Sequence, residues 1–346
     1  MKTLKMKNLA FIVLISLSFF VCICSLQGEG IKEVILKPVY QFGGLDVDAQ
    51  NLLNRPSDFI ITGKNEIIVC DGDENNVVFF NQEGNVTKKI GRSGQGPGEF
   101  DRPSKIEIME DKLIVCDSNN FRIQILTMDG ECLKTYHAFT LASLGAKMWV
   151  AGDGSYYFST QGYNSNSLII HRSLEGEELG RFGKIYGEAT NVYKFETELI
   201  KKGKVPDSYK NKVFPVVDSD GFVYCIHSAL PLVKKFSEEG NLIWEKSLDL
   251  PEFKKIKSKW IISNKEAPPN LSYGLYYWRD IEFNNQGELL LLVYLSDQMI
   301  IYRLDREGNV IIRYKGVEDK ITMIAVYDKE LWAFGGDTHT FYKFIL

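Results

Sequence analysis

An all-β fold built from a repeated four-stranded unit is what this sequence predicts, and three observations predict it. The apolar runs are short, rich in Val, Ile, Phe and Tyr, and bounded by Gly, Asn or Asp turns, as in IIVCDG, KLIVCDS and FVYCIH, a pattern that suits strands and not helices. An acidic-Gly turn recurs at Gly84, Gly130, Gly176, Gly240 and Gly308, at intervals of 46, 46, 64 and 68 residues. A period in the forties with four strands per unit belongs to propeller blades rather than to a helical solenoid. The chain ends on three strands after Gly316 and begins with one, IKEVILKPVYQF, that has no unit of its own. Pairing these ends makes a sixth unit and removes the last open edge. The expectation is a six-bladed β-propeller of four-stranded antiparallel blades, with the ring closed by the N-terminal strand joining the last blade.

Taken in order, the chain opens on residues 1–24, a leader. Lys2, Lys5 and Lys7 form a positive region, and Leu9 to Ile23 is an apolar run too short for a convincing bilayer span. The mature protein is therefore expected to be exported. Cys24 closes the run after Val21, Cys22 and Ile23 like a bacterial lipobox and is the lipidation candidate. Ile23 stands where that pattern prefers Gly, Ala or Ser, so a membrane-anchored lipoprotein of the cell envelope and a secreted product both stay open. Residues 31–346 are expected to form a single propeller, with blades over about 45–91, 92–139, 140–183, 184–250 and 251–316, and a last blade made of 317–346 plus 31–44.

The second unit can be read whole. Gly91, Gly94, Gly96, Gly98 and Pro97 make a loop; KIEIM and KLIVC are strands; Asp117 to Asn120 turn; RIQIL is a third strand; Asp129-Gly130 turns into CLKTYHAF. The first unit shares RPS and VCD with it, at Arg55 to Ser57 and Val69 to Asp71. Asp117 and Arg122 sit one turn apart, so a charge-assisted pair within the blade is expected, fixing that corner.

These residues resemble the NHL repeat, in Gly94, Gly96, Gly98, Phe100, Pro103, Val115, Asp117, Asn120, Arg122, Ile123 and Gln124. Together with the leader, the chain looks like the exported six-bladed propeller lipoproteins of bacteria. The resemblance implies a propeller without an assigned activity, and its enzymatic cousins, lactonase-like and amidating-lyase-like propellers, imply a channel-mouth site as the alternative.

Composition narrows the function classes. With 346 residues, 45% hydrophobic and 25% charged, the chain is ordinary globular material. A net charge of -4 leaves no footprint for nucleic acid, and Lys254, Lys255, Lys257 and Lys259 read as a solvated loop. Cys70, Cys116 and Cys225 hold the same place in three units, too far apart for disulfides, and they read as buried apolar residues. His137, His171, His227 and His339 are scattered, and no CxxC, GxSxG, HExxH or P-loop pattern occurs. DGDENN at Asp71 begins like an EF-hand loop but has Gln82 at the twelfth position. No cofactor and no metal are expected on these grounds; a monomer is the expected state, although the residues themselves do not determine it.

Loops between blades and loops between second and third strands should share one face. The two long intervals carry 18 and 22 residues beyond the 46-residue period, around residues 184–210 and 251–278, and long loops on a rigid scaffold are where binding sites are built. The expected function is an exported binding module or scaffold that takes a glycan, peptide or protein ligand on this face. Tyr186, Tyr193, Tyr276, Tyr277, Trp278 and Arg279 are the ligand-binding candidates; stacking on a sugar and burial as anchors are equally open roles for the aromatics. Aligning the starts of the inner strands predicts a channel-mouth ring of Asp58, Lys105, Lys147, Val213, Asp280 and Thr322. Two lysines among two aspartates suit mutual neutralisation better than calcium, and Asp58 and Asp280 are the carboxylate pair that a hydrolase or lyase would use.

Overall fold

Each second strand is apolar without alternation, β4 (Ile67–Asp71) and β20 (Leu289–Val293) being buried at every position. That pattern requires cover on both faces, and a ring of radially set blades supplies it. The computed structural model of the protein describes residues 31–46, 52–137, 148–190, 196–268 and 271–346. The leader with Cys24, Tyr193 and Lys147 lie outside the described residues. From Glu33 to Leu346 the chain is one compact unit.

Six antiparallel sheets make the blades. Blade one is β3 (Pro56–Ile61), β4, β5 (Asn76–Phe80) and β6 (Val86–Ile90). Blade two is β7 (Pro103–Met109), β8 (Lys112–Asp117), β9 (Arg122–Thr127) and β10 (Cys132–His137). Blade three is β11 (Met148–Val150), β12 (Tyr156–Ser159), β13 (Ser167–Arg172) and β14 (Glu178–Lys184), and blade four is β15 (Val213–Val217), β16 (Val223–His227), β17 (Leu232–Phe236) and β18 (Leu242–Ser247). Blade five is β19 (Trp278–Phe283), β20, β21 (Ile300–Leu304) and β22 (Val310–Lys315), and blade six runs β23 (Ile321–Tyr327), β24 (Glu330–Gly335) and β25 (Thr340–Ile345).

The N-terminal segment closes the ring, but it does so as two strands. β2 (Tyr40–Gly43) pairs with β25 as the outer strand of blade six. β1 (Lys32–Ile35) is instead a fifth strand on the outside of blade five, beside β22, held there by the Glu33–Arg313 ion pair. Pro38 lies between β1 and β2; it has no N–H to donate, which suits the crossing from one edge to the next.

The third and fourth strands of blades one to five are joined by the acidic-Gly turns. Their glycines take φ of 77°, 92°, 89°, 88° and 80° at Gly84, Gly130, Gly176, Gly240 and Gly308, a left-handed conformation that glycine adopts without cost. Hydrophobic clusters fill every junction between neighbouring blades. Ile68 and Cys70 pack with Ile106 and Leu113 of blade two, whereas Ile67 and Val69 of the same strand pack with Trp332 and Phe334 of blade six. The period-two geometry of a strand thus sends alternate apolar residues to opposite neighbours. Cys70, Cys116 and Cys225 are buried free thiols in β4, β8 and β16.

The insertions fold in part as helices. In the first, α1 (Thr197–Lys201) and α2 (Asp207–Lys210) precede β15; in the second, α3 (Pro251–Glu266) precedes β19. The loop expected around Lys254 to Lys259 is therefore a helix. Pro251 stands in its first turn, and Phe253, Trp260 and Asn264 are buried at helical spacing, while Lys254, Lys255, Lys257 and Lys259 face solvent. Phe253 packs on Tyr277 and Trp278 with ring centroids 4.4 and 5.0 Å away. Glu252 accepts hydrogen bonds from Tyr302 Oη at 2.7 Å and Arg313 Nη2 at 2.7 Å, which fastens the helix to blade five. Among the described residues no helix is long and apolar enough to cross a membrane.

Candidate ligand-binding face

The glycine-rich loop of blade two is held by one buried cation. Arg122 Nε donates to Asp117 Oδ2 at 2.7 Å, Nη1 to the Gln95 carbonyl at 2.6 Å, and Nη2 to the carbonyls of Gly96 and Glu99 at 2.9 and 2.8 Å. Only a planar guanidinium fork reaches a carboxylate and three carbonyls together. Gln124 completes the clamp, accepting from Gly98 N–H and donating to the Glu99 carbonyl. Asp117 has no exposed surface, and its other oxygen accepts from Asp101 N–H at 2.7 Å.

At the mouth of the axial channel the inner strands and the loops before them enclose a cavity of about 590 Å³, with Asp58, Lys105, Trp149, Pro215, Asp280 and Met323 among its walls. Lys105 Nζ lies 3.1 Å from Asp58 Oδ2 and 3.7 Å from Glu107. Burial by itself would lower the Lys105 pKa; Asp58, Glu107, Glu282 and Asp280 outweigh it and hold the ammonium well above its ordinary range. Burial pushes the Glu107 carboxyl up to about 7 and raises Glu282 well above the usual carboxylate range. Both aspartates of the mouth also do structural work across a blade junction. Asp58 Oδ2 accepts from Ile106 N–H of blade two at 2.9 Å, and Asp280 Oδ2 from Ile324 N–H of blade six at 2.8 Å.

A second cavity, of about 380 Å³, shares Phe214, Arg279 and Thr322 with the first. Its other walls come from blades three, four and five and from both insertions. Lys212 follows α2, and Tyr276 closes the second insertion, which α3 positions. Trp260 Nε1 donates to the Tyr273 carbonyl at 2.7 Å, and Asn264 Oδ1 accepts from Tyr273 N–H at 2.8 Å. Backbone bonds then run from Tyr277 N–H to the Ser228 carbonyl and from Ser228 N–H to the Lys212 carbonyl. His227, beside them, is buried; its Nδ1 lies 2.7 Å from the Lys210 carbonyl and so carries the proton. Burial lowers its pKa to about 4.

Residues 35–219 match the family model DUF5128, described as a 6-bladed beta-propeller. The chain belongs to this family. No curated protein matches it. Among solved structures, a member of the duf4221 family from Bacteroides vulgatus is 10% identical, with 90% of this chain and 97% of that one covered at a TM-score of 0.56. A Bacteroides fragilis protein with an exported-protein name is 11% identical over 91% and 99% at 0.56. Virginiamycin B lyase from Staphylococcus aureus is 12% identical over 89% and 98% at 0.52. At these identities the likeness is one of fold.

Within this DUF5128 propeller, the residues singled out from sequence fall into distinct places. Tyr276, Trp278 and Arg279 line the second cavity, and Asp58, Lys105 and Asp280 line the first. Tyr277 is 4% exposed and serves as an anchor beneath Phe253. Tyr186 is half-buried against His227, ring centroids 5.8 Å apart, and is in neither wall. The expected ring is out of register at two positions. Pairing skips a residue between Pro56 and Asp58, Pro103 and Lys105, Trp278 and Asp280, and Ile321 and Met323. Thr322 thus occupies the bulge position of Ser57, Ser104 and Arg279, and Met323 stands level with Asp58, Lys105 and Asp280. In blade four, whose β15–β16 pairing has no bulge, Pro215 opposite Cys225 holds that level, and Val213 is two residues outside it. Lys212, Ser228, Tyr294 and Ser159 were not legible as site residues. For Lys212 a signal existed, since it immediately precedes an inner strand. Among the described residues no three of the His, Cys, Asp and Glu side chains are grouped to hold a metal ion.

Proposed function

We propose that this protein is a binding propeller that takes its ligand on the face carrying the insertions, in the 380 Å³ cavity beside the channel mouth. The observation that carries this reading is the convergence of both insertions on that one cavity, through Lys212 and Tyr276. Two independent excursions from a 46-residue period meet there, and concave sites on rigid scaffolds are where small molecules bind. Export, with a lipid on Cys24 as membrane anchor, belongs to the same proposal and rests on the basic and apolar halves of the leader; loss of labelled fatty acid from Cys24→Ala tests it. The likeness of blade two to an NHL repeat rests on the same clamp residues, Asp117, Arg122 and Gln124.

Catalysis at the channel mouth is the weaker reading. Asp58 and Asp280 are engaged by backbone N–H groups of the next blade, and Glu107, the carboxyl tuned to about 7, is not in the cavity wall. The fold-level likeness to virginiamycin B lyase does not carry that activity here. Glycan and peptide arrays probed with the wild type and with Tyr276→Ala test the binding proposal. Hits lost in the variant support it, and an absence of cavity-dependent hits overturns it.

A further inference from the structure

The second cavity gathers two cations without a carboxylate. Several other partly or fully buried cations are paired: Arg122 with Asp117 at 2.7 Å, Lys105 with Asp58 at 3.1 Å, Lys235 with Asp218 at 3.5 Å, Arg313 with Glu252 at 2.7 Å. Lys212 and Arg279 both line the second cavity, and no aspartate or glutamate does. Neither of them forms an ion pair with any described residue. Lys212 Nζ lies 5.2 and 5.9 Å from the ring centroids of Tyr209 and Tyr276, and the Arg279 guanidinium lies 4.0 Å from that of Tyr294. Burial lowers the pKa of both, outweighing Tyr209 at Lys212 and Tyr294 and Asp337 at Arg279, as expected for positive charge in a poorly solvated place.

Hydrogen-bonding capacity is left over in the same walls. Trp278 Nε1, Ser228 Oγ and Arg279 Nε are buried and have no hydrogen-bond partner among the described residues. Trp278 is 1% and Ser228 2% exposed, so neither group belongs to a solvated surface. A buried polar group without a partner is costly, and three such groups belong to residues that line this one cavity. Aromatic faces accompany them: Tyr276 and Tyr294 have centroids 5.7 Å apart at an interplanar angle of 32°, and Tyr294 is 41% exposed.

We infer that this cavity binds an acidic saccharide, its carboxylate held between Lys212 and Arg279 and its ring laid against Tyr276 and Tyr294. The inference rests on the binding function proposed above and adds the class of ligand. Two unpaired cations select an anion, and the guanidinium fork suits a carboxylate. Sugar hydroxyls donate and accept, which matches the hydroxyls of Ser159, Ser228 and Thr322. Tyrosine faces supply the apolar cover that a sugar ring needs.

The test is calorimetric titration of the leaderless protein with glucuronate and galacturonate oligosaccharides, their neutral glucose and galactose counterparts, inorganic sulfate and phosphate, and an acidic peptide. The uronates are expected to bind at least about tenfold more tightly than every other probe. Arg279→Gln and Lys212→Gln are each expected to weaken uronate binding about 10-fold or more, as loss of a hydrogen bond to a charged group does, at an unchanged Tm. Equal affinity for acidic and neutral sugars, indifference to both substitutions, equal binding of phosphate, sulfate or peptide, or no uronate binding overturns the inference. Neutral glycans that bind and are lost in Tyr276→Ala would leave the binding function standing without the acidic ligand; no cavity-dependent binding of any probe would remove both.

Discussion

Replacing Arg122 by Met removes the hub of the blade-two clamp while keeping a side chain of similar length. Four hydrogen bonds go with it, one to Asp117 and three to loop carbonyls. The carbonyls sit in a loop where Gln95 and Pro97 are exposed, so water can replace their donor. Asp117 has no such escape, being 0% exposed. Stripping one partner from a buried ion pair costs roughly 3–5 kcal/mol. Asp117 keeps donors in Asp101 N–H and Asn120 Nδ2, at 2.7 and 2.9 Å, which places Arg122→Met at the low end, about 3 kcal/mol. Equilibrium urea unfolding reads the loss as a shifted midpoint at constant slope, and hydrogen exchange at Gly98, whose amide donates to Gln124 Oε1, reads the loosened loop. Asp117→Asn in the same chain should recover part of the loss, because the orphaned charge is then gone. A change under about 1 kcal/mol with unaltered protection of Gly98 would refute the account of the clamp as the support of this loop.

Three other outcomes follow from the same geometry. Glu107 has a folded pKa of about 7 against an ordinary 4.5, so its contribution to stability is full below about 4.5 and is lost as pH rises through 7; Glu107→Gln should remove roughly 1–3 kcal/mol of that alkaline loss, and parallel pH curves for wild type and variant would count against it. His227 behaves in the opposite sense. Its pKa of about 4 against an ordinary 6.5 means stability is lost as pH falls from about 6.5 towards 4, and His227→Gln should flatten the acid side of the unfolding curve; an acid limb left unchanged would sink this. Asn264→Leu strips two of the three bonds that hold residue 273 to α3, leaving that from Trp260, and should cost about 1–3 kcal/mol and weaken binding in the second cavity; affinity retained in a less stable variant would separate the helix from the site.

What could be read from the chain alone was what local chemistry and repetition impose. Gly84, Gly130, Gly176, Gly240 and Gly308 mark tight turns whether or not a neighbour is known, because a positive φ is a property of one residue. The unbroken apolar second strands imply cover on both faces, and Asp117 and Arg122 are near enough in sequence for their pairing to be foreseen. The helix of Pro251–Glu266 was obscured because four exposed lysines dominate its composition, while Phe253, Trp260 and Asn264 show their common face only once the spacing is laid on a helix. The ring alignment is off by one at Thr322, a bulge position that carries no compositional mark, and by two at Val213, where the inner pair of the blade has no bulge. Only closure of the ring decided the second cavity. Ser159, Lys212, Ser228, Arg279 and Tyr294 come from three blades and both sides of an insertion, and no short-range rule relates positions so far apart in sequence. Their meeting depends on how apolar junctions stack one blade on the next, and on a helix whose anchors, Trp260 and Asn264, fix the backbone beside the cavity rather than the cavity itself.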